Sequence, residues 1–181
     1  MAAYFFIDAG CFRKVVRDLS QRILGPDQVL TVNWASLLIG AGCEKAFYYD
    51  AVPSREHDEP QETWLARIEP RMAELRSLRS VRGYHVPLGD LRGKTARQKK
   101  VDIMIAVDML MHTVRGNMDR CTLLAGDIDF QPLVEALIRE GMNVWIWHPP
   151  EASEDLLGAA DYRFPLNLAW LGPYLLRVRT H

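Results

Sequence analysis

The stretch from Cys121 to Trp147 reads CTLLAGDIDFQPLVEALIREGMNVWIW, and its pattern changes three times. A short apolar run, Cys121 to Ala125, stops at Gly126, and two acids follow at Asp127 and Asp129. Leu133, Val134, Leu137 and Ile138 then recur at helical spacing. Gly141 stands where such a helix ends, and Val144 to Trp147 is a second apolar run. Strand, acidic turn, helix and strand make a β-α-β unit, whose crossover makes the two strands parallel. In an open parallel sheet, ligands bind outside the carboxyl ends of the strands. The pattern therefore puts Asp127 where chemistry is usually done.

The chain begins in the same way. AAYFFIDAG is an apolar strand that ends at Asp8 and runs into a turn of small residues. If the two strands lie close in the sheet, both carboxylates face one crevice. Their repulsion there is costly unless a cation or a shared proton offsets it. A divalent metal site is the economical explanation. Ala46 to Asp50 (AFYYD) is a third short strand that ends in an acid.

A chain of 181 residues, 49% of them hydrophobic, can bury a sizeable core as one ordinary domain with at most a small appendage. The formal net charge of −1 gives no basic footprint over the whole surface, so nucleic-acid binding would need a local patch. Cys11, Cys43 and Cys121 lack CxxC spacing and sit in apolar surroundings, which suits reduced core thiols rather than disulfides or zinc ligands. No stretch approaches the ~20 apolar residues that span a bilayer, and the N-terminus has no leader pattern. A cytoplasmic protein without membrane contact is expected.

Further elements follow from local signals. Phe12 to Leu19 reads as a short helix broken by Gly25-Pro26, and Asn33 to Ile39 as another. Gln61 to Ser80 has helical spacing interrupted by Pro70, and its arginines, Arg71 among them, alternate with glutamates as on a solvated, salt-bridged face. Gly83 to Leu88 is a candidate strand. Arg92, Lys94, Arg97, Lys99 and Lys100 place five positive charges in nine residues with nothing apolar to bury, which predicts an exposed loop. Val101 to Val114 is a helix apolar on most sides. Asp102 lies at its start, where a carboxylate also suits the helix dipole. Asp108 lies about 9 Å further along and ~120° around, so it either finds a basic partner or faces the polar crevice. After His148-Pro149-Pro150, Glu154 to Ala160 reads as a helix and Tyr162 to Leu166 as an edge strand. LAWLGPYLLRVR is either a helix broken at Gly172-Pro173 or a tail that docks on the body or on a second subunit.

The chain has no GxSxG, no glycine-rich phosphate loop and no HExxH, and its histidines lack ligand spacing. His148, at a strand's carboxyl end, is the one of interest. Asp127-Ile128-Asp129 is a DxD, but a haloacid-dehalogenase-type phosphatase would carry that motif near the first strand, where this chain has the single Asp8. What remains is a set of aspartates: Asp8, Asp102, Asp127 and Asp129, with Asp50 and Asp108 in a second rank. Oxygen donors alone suit Mg²⁺ or Mn²⁺ rather than zinc.

These residues resemble the NYN family, PIN-like nuclease domains that include the bacterial LabA-like proteins. The matching pieces are IDAG at 7–10, YYDAVP at 48–53, QKKVDIMIAVDML at 98–110, LLAGDIDFQPLVEALIREGMNVWIW at 123–147 and, more loosely, AADYRF at 159–164. The resemblance implies a doubly wound α/β domain over residues 1–165, with a mostly parallel sheet and helices on both faces. Residues 166–181 form an extension that docks on the domain or on a partner, and a homodimer is a candidate assembly. It also implies an aspartate cluster that binds Mg²⁺ or Mn²⁺ and hydrolyses RNA. Asp8, Asp102 and Asp127 would be the metal-binding acids and Asp129 a fourth member. The alternative is a binding module of the same fold that recognises RNA or protein without cutting. Many relatives have Asn where this chain has Cys11, and Ser where it has Ala125, so a polar contact and a hydroxyl beside the site differ here. For RNA, the basic run from Arg92 to Lys100 is the expected contact, since it leads directly into Asp102.

Overall fold

Alternate residues of the first strand, β1 (Ala3–Asp8), enter two separate cores, and that division organises the molecule. The computed structural model describes residues 2–24, 28–87 and 96–179, of which 96–99 are described by backbone alone. Ala3, Phe5 and Ile7 pack on one side of the sheet. Tyr4 and Phe6 pack on the other. A strand covered on both faces is expected to read as a continuous apolar run, which AYFFI does.

Five more strands join β1: β3 (Lys45–Tyr49), β4 (Tyr84–His85), β5 (Arg120–Leu124), β6 (Asn143–His148) and β7 (Tyr162–Pro165). Their spatial order is β4-β3-β1-β5-β6-β7, and every pairing is parallel. The chain moves outward from β1 to β3 and β4, then returns across β1 to build β5, β6 and β7 on the other side. The direction of winding therefore reverses between β1 and β5.

The first face is covered by α1 (Ala9–Ile23), α2 (Trp34–Gly40), α3 (Gln61–Ser80) and the short α7 (Leu168–Leu171). The second is covered by α4 (Ala96–Val114), α5 (Gln131–Arg139) and α6 (Glu154–Ala159). On α5, Leu133, Val134 and Leu137 are buried, at roughly 1.5–3 kcal/mol per fully buried side chain. This is the doubly wound α/β architecture with helices on both faces. No helix of the described residues is long and apolar enough to cross a membrane. All three cysteines are free.

Several boundaries differ from the sequence reading. Helix α1 starts at Ala9, directly after the Asp8 cap, and runs on to Ile23 rather than covering Phe12 to Leu19. Helix α4 starts at Ala96, so the Ala96–Lys100 part of the predicted basic loop is helical, and Asp102 lies inside the helix rather than at its start. Arg92 and Lys94 lie outside the described residues, as do the side chains of Arg97 and Lys99. Lys100 is exposed. Of the expected Gly83–Leu88 strand, Leu88 lies outside the described residues, and among the described ones the strand is the two residues of β4.

The helical part of the C-terminal segment stops before Gly172-Pro173, and the remainder lies on the body. After α7 and a 3₁₀ turn (Gly172–Tyr174), β8 (Leu175–Arg179) pairs antiparallel with β2 (Gln28–Val32) in a separate two-stranded sheet. Neither strand was expected.

Candidate active site at the sheet's carboxyl edge

Asp8 is the last residue of β1, and Asp127 stands three residues beyond β5, the neighbouring parallel strand. The two acids thus flank the point where the winding reverses, which is where open α/β sheets hold ligands. Asp102, one helical turn beyond Lys99 on α4, reaches the same place from above. Asp8, Asp102 and Asp127 line one crevice of about 760 Å³.

Each turn holds its acid in place. The Asp8 carboxylate caps α1, with Oδ1 accepting from the backbone N–H of Gly10 at 2.8 Å and of Cys11 at 3.3 Å. Asp127 caps the 3₁₀ turn Ile128–Phe130, with Oδ1 accepting from the N–H of Asp129 at 3.1 Å. Asp129 sits inside that turn and is exposed. Gly126 precedes the pair because a Cβ there would come within 2.6 Å of the Pro149 ring. The glycine is a condition for close approach of the β6 end, not for an unusual backbone.

The electrostatics register the crowding. Burial pushes the Asp8 carboxyl above its ordinary value, against the two capping N–H groups and Arg13. Asp102 is pushed up to about 6, first by burial and then by the charges of Asp8, Asp127 and Asp129. Asp129 is thus electrostatically part of the cluster, although it does not line the crevice.

The second-rank acids divide from these. Asp50, just past β3, lines the crevice but is only 2% exposed, and its oxygens are engaged. Arg13 binds it with two hydrogen bonds, at 2.7 and 2.9 Å, and Arg71 adds a third at 2.8 Å. Burial alone would raise its pKa, yet the two guanidiniums hold the carboxyl below the usual range. Arg71 is therefore turned inward onto a buried acid rather than lying on a solvated face, whereas Arg67 and Arg76 do pair with glutamates at the surface. Among the described residues Asp108 has no ion pair, and it does not line the crevice. It accepts a hydrogen bond from the Tyr49 hydroxyl at 2.8 Å. The ring Nδ1 of His148 lies 3.0 Å from the carbonyl of Pro149, and His148 is not in the crevice lining.

Other lining residues carried no sequence signal that was used. Lys14, on α1, pairs with Glu151 at the crevice, and Arg13 forms its inner wall. A buried carboxylate at the end of an apolar strand demands a cation, and that demand at Asp50 was the available pointer to Arg13. Cys11 also lines the crevice. Burial first, and Asp8 next, push its thiol up to about 12, so it is present there as a neutral thiol.

The donor set suits a hard divalent cation. Its acids are carboxylates, and burial with mutual repulsion leaves Asp8 and Asp102 at raised pKa, a cost that a cation would offset. Both caps use Oδ1, so Oδ2 of Asp8 and of Asp127 is not spent on the cap. Among the described residues no three acidic, histidine or cysteine side chains form a ready-made cage.

A family model described as the NYN domain matches residues 5–167. Among solved structures, the chain is similar to a protein of unknown function from Vibrio parahaemolyticus. The TM-score is 0.66 at 19% sequence identity, over 97% of this chain and 96% of that one. At such identity the likeness is one of fold. No curated protein matches the chain.

Proposed function

The chain belongs to the NYN domain family of PIN-like nucleases, and on that premise we propose that it is a metal-dependent ribonuclease that hydrolyses RNA phosphodiester bonds in the acidic crevice. The observation that supports this most is the meeting of Asp8, Asp102 and Asp127, from three separate elements, at the point where the sheet's winding reverses.

Asp8, Asp102 and Asp127 would hold Mg²⁺ or Mn²⁺, with Asp129 at the rim as a fourth carboxylate. Bound there, the ion supplies charge stabilisation on the phosphate and an acidified water for in-line attack. The chain's own contribution is position. The α1 N-terminus fixes the Asp8 carboxylate, and the 3₁₀ turn fixes that of Asp127, so neither must be ordered when substrate arrives. Arg13 is locked by Asp50 and forms a rigid wall. Lys14 is the crevice cation best able to meet a phosphate oxygen, once it is drawn from Glu151.

The lack of a ready-made three-ligand cage among the described residues favours a second reading, a module that binds RNA or protein without cutting. One comparison separates the two. Protein stripped with EDTA is incubated with a generic single-stranded RNA and, separately, with p-nitrophenyl phosphate, before and after Mn²⁺ is restored. The nuclease reading expects RNA to be cut only with Mn²⁺ and the phosphomonoester to be left alone. RNA that is bound yet intact at saturating Mn²⁺ would establish the binding module instead.

A further inference from the structure

We infer that the cleft between α1, β2 and α3 is a subsite for one unstacked nucleobase of the RNA strand whose phosphate lies in the acidic crevice. The inference rests on the ribonuclease reading for its ligand, but on separate geometry for its site. The cleft measures about 940 Å³, within the ~300–1,000 Å³ of ordinary ligand pockets. It is distinct from the acidic crevice, and the two share Arg13 as a common wall.

Its walls have two characters. The aromatic surface is that of the half-buried Trp34, which is backed by Phe12 and Tyr48, each 1% exposed, with ring centres 5.6 and 5.3 Å away. Around it, Gln21, Gln28 and Thr31 present amide and hydroxyl groups. Unpaired bases in single-stranded RNA are held in this way, with the flat face against aromatic rings or guanidinium planes and the polar edge against side-chain donors and acceptors. A site lined by apolar groups alone would suit a lipid or an apolar peptide. This one adds the hydrogen-bonding edge that a base needs.

Position favours RNA as the occupant, since the cleft adjoins the acidic crevice across Arg13. Arg13 and Arg71 are balanced by Asp50, which leaves Arg17 as the lining arginine best placed for a phosphate. Arg13 and Arg71 are pinned by the buried Asp50, so the wall between the two sites is preorganised. Arg17, 3.6 Å from the Asp18 carboxylate, has a side chain 65% exposed at the rim, where it can meet a backbone phosphate. The far wall exists because β2 leaves the main sheet and pairs with β8. The small second sheet thereby acquires a purpose: it holds one side of the subsite.

The test fills the cleft. Gln21 is exposed on α1, so Gln21→Trp puts an indole into the mouth without disturbing the core. Binding of a ten-nucleotide single-stranded RNA is followed by fluorescence anisotropy in the Asp127→Asn background, so that the RNA stays intact. Filling the cleft is expected to weaken binding by roughly 5- to 150-fold, the loss that goes with one base stack. A series of RNAs with one abasic position each should reveal a position whose base matters by a similar factor, and Gln21→Trp should abolish that dependence. Arg17→Ala, which leaves the cleft open, should reduce affinity and its salt dependence yet keep the abasic effect. Affinity within about twofold after filling, or an abasic profile equal in the filled and unfilled proteins, would overturn the proposal. Wild-type RNA cleavage in Mn²⁺ is scored separately. Its absence would reject the ribonuclease reading, while base-dependent affinity lost on filling would still support the cleft.

Discussion

Asp50 and Asp127 both stand at the carboxyl edge of the sheet, yet their surroundings give them opposite tasks. Asp50 is buried and saturated by two arginines, so Asp50→Asn leaves guanidiniums without their charge partner. Breaking such a pair costs about 3 kcal/mol or more, a fall of roughly 6–12 °C in Tm for a chain of this size. Asp127→Asn removes one of several mutually repelling charges, and in metal-free buffer its Tm should equal or exceed that of wild type. Thermal denaturation of the two variants side by side checks the contrast, and equal losses would refute it. Asp102 adds a pH signature. Its folded pKa is raised to about 6, so its ionisation costs stability that is intact below the unfolded value of about 3.9 and is lost as pH rises to the folded one. Between about pH 4 and 6.5, without metal, wild-type Tm should fall relative to Asp102→Asn, and Mn²⁺ should reverse the fall. Parallel pH profiles for the two proteins would show that burial and the neighbouring carboxylates do not raise the Asp102 pKa as described. For Asp50 the sign is opposite, because a lowered pKa stabilises above the unfolded value and the benefit is lost as pH falls through the folded one.

At the scale of elements, the parts that local pattern encodes were readable in advance. Cys121 to Trp147 shows its strand, acidic turn, helix and strand because each is marked by neighbours in sequence, and β5, α5 and β6 fall within a residue or two of that reading. Asp8 and Asp127 were legible as strand-end acids for the same reason. Asp102 lines the crevice from inside α4 rather than from its first residues, because the polar run before it hides the helix start at Ala96. The arginine partners of Asp50 were illegible because they lie 37 and 21 residues away, and no local pattern joins them. The basic run that enters α4 remains a proposed contact for the RNA backbone. Replacing Arg97, Lys99 and Lys100 together by Ala should weaken binding of unrelated RNAs alike and reduce the salt slope by up to roughly 0.7 per lost contact. Cleavage at saturating RNA should change much less than affinity. Unchanged affinity and slope in a salt titration would remove the run from the mechanism.

For the whole molecule, the order of strands decides where function sits. Parallel winding outward from β1 in both directions brings the ends of β1 and β5 together, and the first helix's N-terminus with them. The second sheet could not be read from sequence because β2 and β8 come from opposite ends of the chain. β8 is mostly exposed as well, so it shows no buried alternation that would mark it as a strand. Both sheets matter to the account, one for the acidic crevice and the other for the cleft beside it. The central claim is that Asp8 and Asp127 hold the cation that cuts RNA. Its most direct measurement is the initial rate of single-stranded RNA cleavage in Mn²⁺ by wild type, Asp8→Asn and Asp127→Asn prepared identically, each shown by circular dichroism to be folded. Metal-dependent cleavage by wild type and none by either variant is the predicted result. Equal rates in all three proteins would contradict it.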